Sequence, residues 1–130
     1  MLNTKNLKRE LDRLVPIKYH DLLKDYLNGK NVEIVTKDFD VVTKDLTPFT
    51  RLVLKNVCRI SFGHTITYGE LAQMLGNPKA VRAVASALGR NPLPVIIPCH
   101  RVVAASSLGG YTFGIEIKRA LLDFELSAGI

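Results

Sequence analysis

Between Thr67 and Leu88 the sequence stops one helix and starts another within three residues, and no other stretch restricts the possible folds so much. Thr67-x-x-Glu70 is a capping box: the threonine hydroxyl accepts the N–H of the fourth residue while the glutamate reaches back to the cap's own N–H. The helix it opens is predicted to run to Leu75, where Gly76 closes it. Asn77 then caps a second helix with Pro78 at its first position, predicted over Pro78 to Leu88. Two short helices joined by a tight, glycine-containing turn are the signature of a helix-turn-helix. On the second helix Val81, Val84, Ala85 and Leu88 share a face and are expected to pack inward, while Ala80, Ala83 and Ala87 form a strip of little bulk. Arg82, Ser86 and Arg90 follow one another at spacings of four beside it. Such a strip lets a helix approach a partner's backbone closely, and the arginines suit phosphate or base contacts.

Charge points the same way. The chain carries 18 Lys+Arg against 12 Asp+Glu, a net +6. Between Gly76 and Arg119, Lys79, Arg82, Arg90, Arg101, Lys118 and Arg119 face Glu116 alone. On charge alone a solvated basic surface explains this as well as a polyanionic partner does. Joined to the helix pair and the small-residue strip, nucleic acid is the better account. With 130 residues, 47% hydrophobic and 23% charged, one principal domain is expected, and no segment is long and apolar enough to span a bilayer. Met1 to Lys5 lacks the apolar core of a signal peptide, so a cytoplasmic location is expected, or a nuclear one in a eukaryote. Cys58 and Cys99 are then free thiols.

The N-terminal region reads as two helices and a weak pair of strands. Leu7, Leu11 and Leu14 recur with helical spacing over Thr4 to Leu14, ended by Pro16, and a second helix fits Tyr19 to Leu27 before Gly29. Val32, Ile34 and Thr36 alternate with polar residues and Val41-Val42-Thr43 follows, which predicts at most a short hairpin. Thr47-Pro48 opens a helix whose apolar stripe is Phe49, Leu52, Val53, Val57 and Ile60, with Cys58 as a small buried residue. After Leu88, the two prolines of Asn91-Pro92-Leu93-Pro94 impose a loop. Val95-Ile96-Ile97 is predicted as a buried strand, Val102-Val103 is extended, and glycine-rich Ser106 to Gly114 is a loop near the site. A last helix spans Ile115 to Leu126, with Lys118 and Glu125 on one side. A glutamate on a largely apolar stripe needs a partner if buried. The fold class is α/β of the α+β kind.

Cys99 lies directly before His100, in Pro98-Cys99-His100-Arg101-Val102. A free cysteine, with a pKa of roughly 8.5, is only a few per cent thiolate at neutral pH and needs a base. Neighbours on an extended strand point to opposite sides, so contact between thiol and imidazole requires a bend or a bridging water. Three classes use such a pair. A hydrolase adds an orienting Asn or Asp, a redox protein a resolving cysteine, and an alkyl acceptor only a leaving-group acid. No second cysteine is nearby in sequence, which weakens the redox case.

Four motifs in order, Thr67-Tyr68-Gly69-Glu70-Leu71-Ala72, Gly76-Asn77-Pro78-Lys79-Ala80-Val81-Arg82-Ala83-Val84, Asn91-Pro92 and Pro98-Cys99-His100-Arg101-Val102, make the stretch from Thr47 to Glu125 resemble the O6-alkylguanine-DNA alkyltransferases. The resemblance implies a mainly helical catalytic and DNA-binding domain over 47–130, preceded by a reduced N-terminal region over 1–46 where relatives carry a fuller, sheet-based domain. It implies that Cys99 accepts the alkyl group, that His100 is its base through water, and that Glu125 orients the imidazole. Asn91 braces the turn, Tyr68 gives the purine a proton, and Lys118 lies near the site. Arg82 fills the place of a flipped-out nucleotide from the minor groove, with Lys79, Ala80, Val81, Ala83 and Arg90 on the DNA face. Val102, Tyr111, Thr112 and Phe113 form the base pocket. Neither metal nor cofactor is expected, and the partner implied is double-stranded DNA containing O6-alkylguanine, met by a monomer. The rival is a relative without the cysteine that binds alkylated DNA and recruits other factors, against which Cys99 argues. A thioether at Cys99 offers water no acyl or phosphoryl centre, so each molecule should act once.

Overall fold

Both halves of the capping box at Thr67 form: Glu70 N–H donates to Thr67 Oγ1 at 3.0 Å and Thr67 N–H donates to Glu70 Oε1 at 2.9 Å. The computed structural model describes residues 2–128. Its elements in order are α1 (Thr4–Leu14), a 3-10 turn (Ile17–Tyr19), α2 (His20–Leu27), α3 (Thr36–Val42), α4 (Pro48–Val57), β1 (Ile66–Thr67), α5 (Tyr68–Met74), α6 (Val81–Leu88), a 3-10 turn (Cys99–Arg101), β2 (Val102–Val103) and α7 (Ile115–Ala128). The two strands pair in parallel, Ile66 opposite Val102 and Thr67 opposite Val103. Helices thus surround one small sheet, as the α+β expectation has it.

The sheet has a positional role. β1 runs straight into α5 and β2 follows directly from Cys99–Arg101, so the start of the helix pair and the thiol are tied side by side. α4 packs on α5 and α6, and α1 packs on α7. One apolar core extends from Leu7 and Leu11 through Leu23, Val53 and Leu71 to Ile97 and Leu121, so the N-terminal region shares it.

Several expectations need correction. The predicted hairpin over 32–43 does not form: Thr36–Val42 is helical, with Phe39 and Thr43 buried and Thr43 Oγ1 donating to Phe39 O at 2.7 Å. β-branched content suggested strands, but the i, i+4 pair Phe39/Thr43 is what packs. α6 begins at Val81 rather than Pro78, because Asn77–Ala80 makes a separate turn closed by Ala80 N–H on Asn77 O at 3.0 Å. Asn77 therefore caps nothing, and the connection is longer than a tight turn. Gly76 does end α5, in the left-handed region at φ +75° where glycine carries no steric penalty.

Two helix faces are turned from their predicted directions. Leu52 is 48% exposed, while Leu54, absent from the predicted stripe of α4, is fully buried. On α6, Val84, Ala87 and Leu88 are buried, and Val81 and Ala85 are exposed. The small residues on the open side are Ala83, Ala85 and Ser86, and Ala87 belongs to the core. Sequence periodicity gives the width of an apolar stripe, but packing of α4 against α6 selects its direction. Leu54→Ala should therefore destabilise the fold by roughly 2–5 kcal/mol, and Leu52→Ala by less than about 0.5 kcal/mol, in urea denaturation.

Candidate active site and nucleic-acid face

Cys99 is delivered by a reversal of the chain, and the predicted strand Val95–Ile97 is absent. Asn91 folds the preceding loop onto itself: its Oδ1 accepts Leu93 N–H at 2.9 Å and its Nδ2 donates to Ile97 O at 2.8 Å. Ile96 N–H and Ile97 N–H close successive turns on Pro94 O and Leu93 O. Val95 is buried at φ +73°, a left-handed backbone that a β-branched residue adopts only under constraint from its surroundings. Cys99 and His100 then share a single 3-10 turn, in which neighbouring side chains do not point to opposite sides as they would on a strand.

The thiol is buried among groups that favour its charged form. Asn91 Nδ2 also donates to Cys99 Sγ, at 2.9 Å, so one amide holds both the turn and the sulfur. Burial pushes the Cys99 thiol up to about 11, while the Asn91 hydrogen bond and the Lys118 charge pull it down. Lys118 is itself buried and donates to Val102 O at 2.7 Å and Gly110 O at 2.9 Å. Burial lowers its ammonium to about 8, with Cys99 acting in the opposite direction.

Behind the thiol lies a buried carboxylate. Glu125 Oε2 is 2.5 Å from His100 Nε2 and accepts the Tyr26 hydroxyl at 2.8 Å; Oε1 accepts Arg101 Nε at 2.8 Å and Gly63 N–H at 2.8 Å. Burial would raise the Glu125 carboxyl, but the hydrogen bonds of His100 and Arg101 and the guanidinium charge outweigh it and hold it down at about 2. Burial keeps the imidazole neutral, its pKa below the ordinary value despite the pull of Glu125. Nε2 facing a carboxylate must carry the ring proton, so Nδ1 is the basic lone pair. That Nδ1 is buried and has no protein partner among the described residues. A neutral imidazole with its acceptor nitrogen unengaged can take up a proton.

A cavity of about 330 Å³ opens onto the sulfur, near the lower end of small-molecule sites. Cys99, Tyr68, Tyr111, Thr112, Gly110, Gly89, Leu88 and Ala85 line it. Tyr68 and Tyr111 thus come together as expected. Val102 and Phe113 are not among these walls: Val102 is wholly buried and Phe113 meets the Tyr111 ring at 5.3 Å, edge to face. The glycine loop touches Tyr68, whose hydroxyl accepts Gly110 N–H at 3.2 Å. Gly109 sits at φ +75°, and a Cβ there would fall 2.5 Å from that hydroxyl, so a larger residue would be strained and would displace the Tyr68 ring.

On the outer side, Arg82, Lys79 and Arg90 are exposed and make no salt bridge among the described residues. Val81 and Ala83 are exposed beside them and Ala80 is half-buried. Ala85 and Leu88 of α6 border the cavity, so Arg82 and one wall of the cavity share that helix. The sequence reading gave no role to Arg101, Tyr26 or the Gly63 N–H. Arg101 had a signal, since an arginine inside an apolar run implies a buried counter-charge; Tyr26 looked like any core aromatic.

The second helix of the α5–α6 pair thus borders the cavity at Cys99, with His100 and Glu125 paired behind the sulfur. The family model for the DNA-binding domain of 6-O-methylguanine DNA methyltransferase matches residues 48–127, and the chain belongs to that family. It is 48% identical over 103 residues to a probable methylated-DNA–protein-cysteine methyltransferase of Acanthamoeba polyphaga mimivirus, covering 79% of this chain and 67% of that one. It is 47% identical over 91 residues to a methylated-DNA–protein-cysteine methyltransferase of Methanocaldococcus vulcanius, covering 70% and 55%. The crystal structure of the Mycobacterium tuberculosis OGT in complex with DNA superposes with a TM-score of 0.70 at 41% identity, covering 83% of this chain and 65% of that one. The chain spans between about half and two thirds of the length of these relatives.

The carboxylate sets an acid limit to stability. Its folded pKa of about 2 lies below the ordinary 4.5, so the unfolded chain binds more protons between those values, and stability present above pH 4.5 is lost as pH falls toward 2. His100, held neutral, adds a loss that begins below its ordinary 6.5. The thermal midpoint should fall continuously on acidification through these ranges. The carboxylate's part of that fall should be missing in Glu125→Gln, whose midpoint at pH 7 is also lower because Arg101 loses its counter-charge.

Proposed function

We propose that the protein repairs O6-alkylguanine in double-stranded DNA by direct, stoichiometric transfer of the alkyl group to Cys99, as a methylated-DNA–protein-cysteine S-methyltransferase that each molecule performs once. The observation that carries this is the cavity shared by the Cys99 sulfur, the Tyr68 phenol and α6. In this reading residues 47–130 are the catalytic, DNA-binding domain and residues 1–46 a reduced N-terminal region packed on it, acting as a monomer. Among the described residues no helix is long and apolar enough to cross a membrane.

Arg82 occupies the place of the target nucleotide in the duplex, and the exposed small residues of α6 admit the backbone closely. The base enters the cavity with its alkyl carbon toward Sγ. As the S–C bond forms and the C–O6 bond breaks, the thiol proton passes to Nδ1 of His100, and Tyr68 gives a proton to the departing purine. The ionised Glu125 stabilises the imidazolium that results. Asn91 and Lys118 lower the cost of charge on sulfur at the moment of attack, which a thiol resting near 11 requires. The products are guanine in DNA and a thioether that offers no route back to the thiol.

A duplex bearing one O6-methylguanine, incubated with the protein and followed by peptide mass analysis, should give one methyl group per chain, on Cys99. Binding without transfer would instead place the protein with non-catalytic damage-recognition relatives. Arg82→Ala should slow repair of the duplex at least about tenfold while slowing reaction with free O6-benzylguanine by less than about twofold. Equal loss on both would remove the flipping role.

A further inference from the structure

We propose that Tyr26, carried by α2 in the N-terminal region, is a positioning residue for the activation of Cys99: its hydroxyl fixes the Glu125 oxygen that receives the proton-bearing nitrogen of His100. The inference rests on the alkyl-transfer reading for its biological meaning, and on geometry for its content. Tyr26 is fully buried and donates to Glu125 Oε2 at 2.8 Å, the same oxygen that faces His100 Nε2 at 2.5 Å. Its ring is held by Phe62 and Phe124, each with its centroid 5.5 Å away, and stands edge-on to the His100 ring at 6.3 Å. A hydroxyl so fixed leaves the carboxylate one orientation, in which Oε1 meets Arg101 and Gly63 and Oε2 meets His100.

The second consequence is electrostatic. A hydrogen bond on Oε2 draws off part of the charge that would otherwise stabilise an imidazolium. Burial already keeps His100 neutral, and the Tyr26 hydrogen bond on Oε2 acts in the same direction, so Nδ1 remains an acceptor. The charged or titratable groups around this pair are Arg101 on the 3-10 turn, Lys118 on α7, Tyr26 on α2, and Cys99 and Tyr111 beside the cavity. Among them Tyr26 alone is a neutral donor to the carboxylate, so its removal changes hydrogen bonding without removing a formal charge.

Tyr26→Phe keeps the ring and deletes the hydroxyl. Its rate of methyl transfer from an O6-methylguanine duplex, and separately its rate of Cys99 alkylation by iodoacetamide, should be followed from pH 5.5 to 9. Both profiles should show their acid limb moved up by about half a pH unit, a rate loss of about threefold on that limb. 3-Fluorotyrosine placed at position 26 alone is a stronger donor and should move the limb the other way, so the question stands even where the phenylalanine variant folds poorly. On a Glu125→Gln background Tyr26→Phe should add nothing further. A uniform rate loss with the limb unmoved, or an undiminished effect on the Glu125→Gln background, overturns the proposal. A wild-type protein that transfers no methyl group overturns the alkyl-transfer reading instead, and the iodoacetamide profiles still decide the role of Tyr26.

Discussion

A single buried carboxylate sets the terms for the rest of the site. Removing Glu125 from water carries a desolvation cost of several kcal/mol, which only good geometry and full hydrogen bonding offset. The structure meets this with donors from separate places: a tyrosine on α2, a histidine and an arginine on the turn after the thiol, and a backbone N–H at Gly63. Arg101 is held a second time by Ile60 O at 2.7 Å, at the end of the segment that follows α4. The packing of α2, α7, the segment after α4 and the Cys99 turn is therefore mutually conditional, because losing any one donor leaves the buried carboxylate less fully hydrogen-bonded in a dry interior. The same constraint keeps His100 in the tautomer that the proposed chemistry requires.

What the sequence disclosed and what it withheld divide along the range of the interactions. The capping box, the stop at Gly76 and the loop imposed by Pro92 and Pro94 are local, and each was legible because a few neighbouring residues determine the backbone. Cys99, His100 and Asn91 were legible as a motif, and the structure places Asn91 Nδ2 on the sulfur. The direction of α6 was not, since four apolar positions fit two neighbouring faces and contact with α4 chooses between them. The run 32–43 misled because its β-branched residues favour strands, while burial of Phe39 and Thr43 on one side favours a helix. Tyr26 and Glu125 lie 99 residues apart, and nothing near either residue announces the other.

In the proposed function, recognition and chemistry are not separate modules. α6 presents Arg82 on its open side, and Ala85 and Leu88 of the same helix border the cavity onto which the sulfur opens. A helix only eight residues long cannot shift relative to its surroundings without changing both. The parallel pairing of β1 with β2 adds a second tie, because β1 leads into α5 and β2 continues from the thiol's own turn. In the proposed reading, a duplex seated on the helix pair meets the cavity at a distance fixed by main-chain hydrogen bonds.

The spread of the Glu125 donors along the chain also governs timing. A reagent that is consumed by its first reaction must not be armed before it can select its target. In the proposed reading the Cys99 thiol has no oriented base until α7 docks and brings the carboxylate to His100, and α7 follows Cys99 in the order of synthesis. The Tyr26–Glu125 hydrogen bond joins residues 99 apart, so the carboxylate gains its full set of donors only when both ends of the chain are in place. On that reading a half-folded chain carries a cysteine whose neighbouring imidazole is not yet held in one tautomer.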